Sequence, residues 1–100
     1  MNSGKYFRFF NNLSNPLRIQ IIEALYKGEK TVNEIASVLK VEQSKLSHAL
    51  SNLRCCNIVK STKQGKSRIY SLNKNTIIPI LKIIDKHAKE YCNKEGCKCK

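Results

Sequence analysis

Between Leu13 and Leu53 apolar residues recur at helical spacing in three consecutive blocks, the first two with a start signal of their own. Leu17, Ile21, Ile22 and Leu25 share one face of a helix, and the preceding "SNP" supplies its beginning. Asn15 can cap, and Pro16 fits the first helical position, where its missing N–H costs nothing. Gly28 is expected to end this helix in the left-handed conformation. "TVNE" reads as a capping box: the Thr31 hydroxyl accepts from the Glu34 backbone N–H, and the Glu34 carboxylate accepts from that of Thr31. Val32, Ile35, Ala36 and Leu39 carry the resulting third helix to a short "KVEQ" link. Leu46, Leu50 and Leu53 then set the inner face of a fourth, and Tyr6, Phe9, Phe10 and Leu13 predict a first helix with an aromatic stripe.

Past Asn57 the period becomes that of a strand. Ile58 and Val59 lie on one side of "KSTKQGKSR" and Ile69 to Leu72 on the other, which predicts a hairpin with Gly65 in its turn. The charges of this ribbon, Lys60, Lys63, Lys66 and Arg68, are all basic. A last helix is expected from Asn75 or Thr76, because Pro79 is best tolerated in a first turn. Its stripe is Ile77, Ile80, Leu81, Ile84, Ala88 and Tyr91. The first and last helices together offer more apolar surface than one small core covers. Tyr6, Phe9, Phe10, Ile80, Ile84 and Tyr91 are therefore expected at a homodimer interface. "CNKEGCKCK" from Cys92 has no periodicity, so the chain divides into one domain, 1–91, and a flexible Cys/Lys-rich tail, 92–100.

Composition narrows the function. One hundred residues make a single domain small enough for shared burial with a second copy to help. Nineteen Lys and Arg stand against seven Asp and Glu, a formal net charge of +12, and that excess favours polyanions through counterion release. In the last third of the chain the longest apolar stretch, Ile77 to Leu81, is far short of the roughly 20 residues that span a bilayer. No signal-peptide pattern opens the chain, so a cytoplasmic protein without a membrane partner is expected. There is no nucleophile elbow, phosphate loop or "HExxH", and no enzyme is expected.

From Leu13 to Leu72 the chain resembles the ArsR/SmtB family of dimeric bacterial and archaeal repressors. The matching stretches are "LSNPLRIQIIEAL", "TVNEIASVL", "QSKLSHALSNLR", "NIV" and "GKSRIYSL", in the family's order and at its spacing. The resemblance implies a winged helix-turn-helix, mainly α with a small β-hairpin and five helices. It also implies a repressor that holds a double-stranded DNA operator as a homodimer and lets go when a metal ion or other chemical signal arrives. The residues agree on DNA. A helix fits the major groove, and the short polar side chains Gln43, Ser44, Lys45, Ser47 and His48 on the fourth helix can reach base edges. Lys63, Lys66 and Arg68 suit a phosphate or the minor groove. A merely solvated helix face is the competing reading of the first set, and a winged-helix protein-interaction module is the competing function. His48 has no carboxylate or cysteine at ligand spacing and is assigned to DNA or solvent. Lys40 stands where the family often has glycine, and Glu42, a poor N-cap, stands where serine is common. The turn between the third and fourth helices is therefore expected to differ in shape.

Five cysteines, at 55, 56, 92, 97 and 99, are odd in number and clustered, unlike a secreted disulfide framework. The resemblance implies three kinds of metal site. The one built on a "CxC" at the third helix has no counterpart, since "KTVNEIASVLK" lacks cysteine. The one shared between last helices keeps its late half in His87 and Glu90, but Lys74 and Thr76 stand where its early donors would be. His87 is thus read as a helix-end or dimer-surface residue. The third joins cysteines near the end of the recognition helix to the tail: Cys56 matches, Asn52 does not, and Cys55, Cys92, Cys97 and Cys99 are further thiols. Adjacent helical residues point about 100° apart, so Cys56 falls toward the buried side and Cys55 toward solvent. Fraying at Asn57, through a left-handed conformation, would be needed to bring both sulfurs together. Three readings stand: Cys56 as a small core residue beside an incidental Cys55; a sensor of Zn, Cd, Pb, Cu(I) or As(III), which thiolates prefer; and a thiol redox switch.

Overall fold

The computed structural model describes residues 3–92. In order, they form α1 (Ser3–Leu13), α2 (Pro16–Tyr26), β1 (Lys30–Thr31), α3 (Val32–Leu39), α4 (Gln43–Cys55), β2 (Val59–Gln64), β3 (Ser67–Leu72) and α5 (Ile77–His87), with a π-helical turn, Ala88–Cys92, continuing α5. The expected flexible tail from Cys92 lies, beyond that residue's backbone, outside the described residues.

Local chemistry accounts for most element boundaries. Asn15 Oδ1 accepts from the backbone N–H groups of Leu17 and Arg18 at 2.9 and 3.2 Å, with Pro16 following at the first helical position. The capping box of α3 is complete: Glu34 Oε1 accepts from the Thr31 N–H at 2.8 Å, and Thr31 Oγ1 from the Glu34 N–H at 3.2 Å. The Thr31 backbone hydrogen bond, with that to its side chain, holds the Glu34 carboxyl below its ordinary pKa. At the end of α4, Asn57 takes the left-handed conformation, φ 58. Its N–H bonds to Arg54 O and that of Ile58 to Leu53 O, a Schellman closure that places Leu53 against Ile58, both fully buried.

Three expectations need correction. Gly28 has a positive φ of 151 and is not left-handed helical; α2 ends at Tyr26 with Lys27 as its C-cap, and Gly28 turns the chain from that cap toward β1 two residues on. The turn after α3 is not reshaped by its lysine. Lys40 itself adopts the left-handed conformation, φ 57 and ψ 49, at a cost of about 1 kcal/mol relative to glycine. Glu42, as expected, gives α4 no side-chain cap. The hairpin also gains a third strand: β1 pairs antiparallel with the free edge of β3, Lys30 opposite Tyr70 and Thr31 opposite Ile69, in the order β1-β3-β2.

The core lies between α2, α3, α4 and the sheet. Ile21, Ile35, Leu46, Leu50, Leu53 and Ile58 are wholly buried, joined by Val59, Tyr70, Leu72 and Ile77. Each such aliphatic side chain contributes roughly 1.5–3 kcal/mol on burial. Phe9, Leu13, Ile80 and Leu81 pack partly against this core, whereas Tyr6, Phe7, Phe10, Ile83, Ile84 and Tyr91 on the same terminal helices are exposed. No helix among the described residues is long and apolar enough to cross a membrane.

Candidate nucleic-acid interface

Burial of Leu46, Ala49, Leu50 and Leu53 fixes the rotation of α4 and leaves Ser44, Lys45, Ser47 and His48 in solvent. Gln43 is exposed too, but its Nε2 donates to Asn33 Oδ1 of α3, so its amide is engaged within the molecule. One turn beyond Ser47 and His48 the outer ridge continues through Ser51 to Arg54 and Cys55, all exposed. Arg54 sits in the last turn, where the helix dipole favours a cation.

Beside that end of α4 the β2–β3 ribbon projects. Its register runs from Val59 opposite Leu72 to Gln64 opposite Ser67, leaving Gly65 and Lys66 as a two-residue turn with Gly65 at φ 63. Lys63 and Arg68 are directly opposite each other and so project from one face. Like charges in such a pair oppose pairing, and the ribbon carries no acid to offset them. Arg68 Nη1 donates to Ser61 Oγ at 3.0 Å, which lays the guanidinium along the ribbon. An external polyanion would relieve the repulsion.

Helix and ribbon meet at a groove of about 590 Å³ lined by Ser51, Arg54, Cys55, Asn57, Val59, Lys60 and Ser61. Its charged side chains are both cations, and its other polar groups are small. Sequence reasoning overlooked Ser51, Arg54 and Ser61 as site residues and counted Lys60 only as part of the basic ribbon. Extending the outer ridge of α4 by one turn reaches Ser51, and by a second reaches Arg54.

The cysteines divide. Cys55 is exposed, whereas Cys56, at the C-cap, is half-buried and its Sγ accepts from Asn12 Nδ2 at 2.7 Å. Cys97, Cys99 and the side chain of Cys92 lie outside the described residues. Among the described residues no group of three or more His, Cys, Asp or Glu could hold a metal ion. His87 packs its ring against Tyr91, centroids 4.9 Å apart, on the exposed end of the last helix.

Known proteins share the sequence pattern and fold of this chain. The model of the arsR family of bacterial regulatory proteins matches residues 15–61, from the cap of α2 into β2. A transcriptional repressor SmtB homolog of Synechocystis is 33% identical over 82 residues, 82% of this chain, and the match spans 62% of that relative's length. The HTH-type transcriptional regulator Rv0081 of Mycobacterium tuberculosis is 34% identical over 78% of this chain and 69% of its own. The crystal structure of Rv0081 superposes with a TM-score of 0.78, covering 84% of this chain and 85% of that one at 32% identity. The homodimeric winged helix-turn-helix DNA-binding domain Mb0332 of Mycobacterium bovis, solved by NMR, shares the fold with a TM-score of 0.80 over 88% of this chain and 82% of its own, at 23% identity. With its fold and the greater part of its sequence accounted for in this way, the chain belongs to the ArsR family of transcriptional regulators.

Proposed function

We propose that this chain represses transcription in the cytoplasm by binding a partly palindromic double-stranded DNA operator as a homodimer. The observation that carries the reading is the exposed polar ridge of α4, which ends at an acid-free groove lined by Arg54, Lys60 and Ser61, with Arg68 of the basic β2–β3 ribbon donating to Ser61 at that groove. In this reading α4 enters the major groove with Ser44, Lys45, Ser47 and His48 toward base edges. Lys63, Lys66 and Arg68 hold the backbone or minor groove, and Arg54 and Lys60 meet phosphates between them. Residues 1–91 act as one unit, and the exposed apolar faces of α1 and α5 join two copies.

Release by a soft metal, a metalloid or thiol oxidation would act through the cysteines. The two described thiols do not fit a metal site by themselves, one in solvent and the other held by Asn12. Metal-driven release would have to recruit Cys92, Cys97 or Cys99. Titrating soft metals, then an oxidant, into the protein–operator complex tests this; unchanged affinity throughout removes an effector of either kind.

Selection from random duplex DNA with the reduced protein tests the main reading. An inverted repeat with half-sites about 10 base pairs apart is expected. Absence of any enriched motif would favour the protein-interaction module instead.

A further inference from the structure

Asn12 is the one buried polar side chain among the described residues, 8% exposed in the last turn of α1. Its two amide ends serve different elements. Nδ2 donates to Cys56 Sγ at the C-cap of α4, and Oδ1 accepts from Arg18 Nη1 in the first turn of α2, each at 2.7 Å. A guanidinium only donates, so Arg18 fixes which end of the amide carries the oxygen and leaves the NH₂ for the sulfur. The same stretch of α1 turns Phe9 and Leu13 onto the core and leaves Tyr6, Phe7 and Phe10 in solvent. Thus α1 carries an unpartnered aromatic face and, behind it, a directional polar bond to the end of the reading helix, 44 residues away in sequence.

A leucine at position 12 would fill this place without polar desolvation, and sulfur is a weak acceptor. The contact is therefore a poor source of stability. What an amide supplies and a leucine lacks is orientation. We infer that Asn12 is a positioning residue for DNA recognition: clamped by Arg18 and bonded to Cys56, it fixes the angle between α1 and α4, and through it the separation of the two reading helices in the dimer. The inference rests on the proposed function, with α1 at the dimer face and α4 in the major groove. Inserting one base pair between half-sites moves the second by about 3.4 Å and rotates it by roughly 35°. A stiff joint between α1 and α4 makes the dimer sensitive to that change, and a loose joint lets the heads follow it.

The test compares affinities for the selected operator, for the same operator with one base pair inserted, and for a single half-site. It uses the wild type, Asn12→Leu, Cys56→Ala and Cys56→Ser, with denaturant unfolding to establish that each variant is folded. The wild type should lose affinity on insertion. Asn12→Leu and Cys56→Ala should shrink that penalty at least about fivefold while keeping the wild-type affinity for a single half-site. Cys56→Ser, whose hydroxyl also accepts, should restore the penalty. Should Asn12→Leu misfold, the Cys56 pair decides. Folded Cys56→Ala with the full wild-type penalty overturns the inference, as does Cys56→Ser behaving like Cys56→Ala, or a wild type indifferent to spacing. No wild-type binding to any duplex would overturn the DNA reading itself, and the inference with it.

Discussion

The centre of the chain and its two ends spend similar apolar residues in opposite ways. In α2, α3 and α4, Ile21, Ile35, Leu46, Leu50 and Leu53 are wholly buried, while in α1, α5 and the π-helical turn Phe7, Phe10, Ile83 and Tyr91 keep 60–72% of their surface in water. Between the terminal helices and α2 lies an open, mainly apolar groove of about 880 Å³, bordered by Phe10, Ile19, Ile22, Tyr26, Leu81 and Ile84. The two regions share one amphipathic logic but differ in what covers the apolar side. The centre covers itself, and this makes it a rigid mount for α4. The ends leave theirs uncovered, and in the proposed dimer their exposed stripes supply each other's cover.

Matched truncations should separate the two regions. Leu50→Ala removes a wholly buried side chain from α4 and should lower the unfolding free energy by about 2–5 kcal/mol at any protein concentration, measured by denaturant titration. Phe10→Ala should leave the stability of the centre nearly unchanged and weaken self-association about tenfold or more, measured by sedimentation. If Phe10→Ala destabilises the monomer as much as Leu50→Ala does, the distinction between centre and ends collapses.

Smaller effects of the opposite sign are expected at the turn that mounts α4. Lys40→Gly relieves a left-handed lysine and should stabilise by about 1 kcal/mol. Glu42→Ser supplies the missing N-cap and should add roughly 0.5–1 kcal/mol, read as a rise in denaturation midpoint. The smallest effect concerns pH. The Glu34 carboxyl titrates below its ordinary value of 4.5 because its charged form accepts the Thr31 N–H. Its stabilising contribution is therefore present above the unfolded pKa and is lost as pH falls through the lower folded value. Glu34→Gln should therefore lower the melting temperature slightly near neutrality and change little in acid, which flattens the acid-side decline.

Much of this architecture was legible because it is local. Asn15, the Thr31–Glu34 box, the Leu46–Leu50–Leu53 face and Gly65 each act on neighbours within a turn, so residue type and spacing suffice to find them. What escaped depends on distant partners. β1 has only two residues and no period of its own; it becomes a strand because Tyr70 and Ile69 present a free edge, and Gly28, at a positive φ, turns the chain toward it. The engagement of Gln43 by Asn33 and the Asn12–Cys56 contact likewise join segments that no spacing rule connects. In the candidate site, the outward stance of Ser44, Lys45, Ser47 and His48 followed from the buried face of α4. The groove at Arg54 and Lys60 did not, because it forms only where the end of that helix meets β2.

The most direct test of the reading platform is the salt dependence of operator affinity for the wild type and for a variant carrying Lys63→Ala, Lys66→Ala and Arg68→Ala. If the ribbon lies on the DNA beside α4, the slope of log affinity against log salt should become shallower by roughly 0.9 per phosphate contact removed, or about 2.7 for all three. A variant that binds with the wild-type slope and affinity would contradict the account.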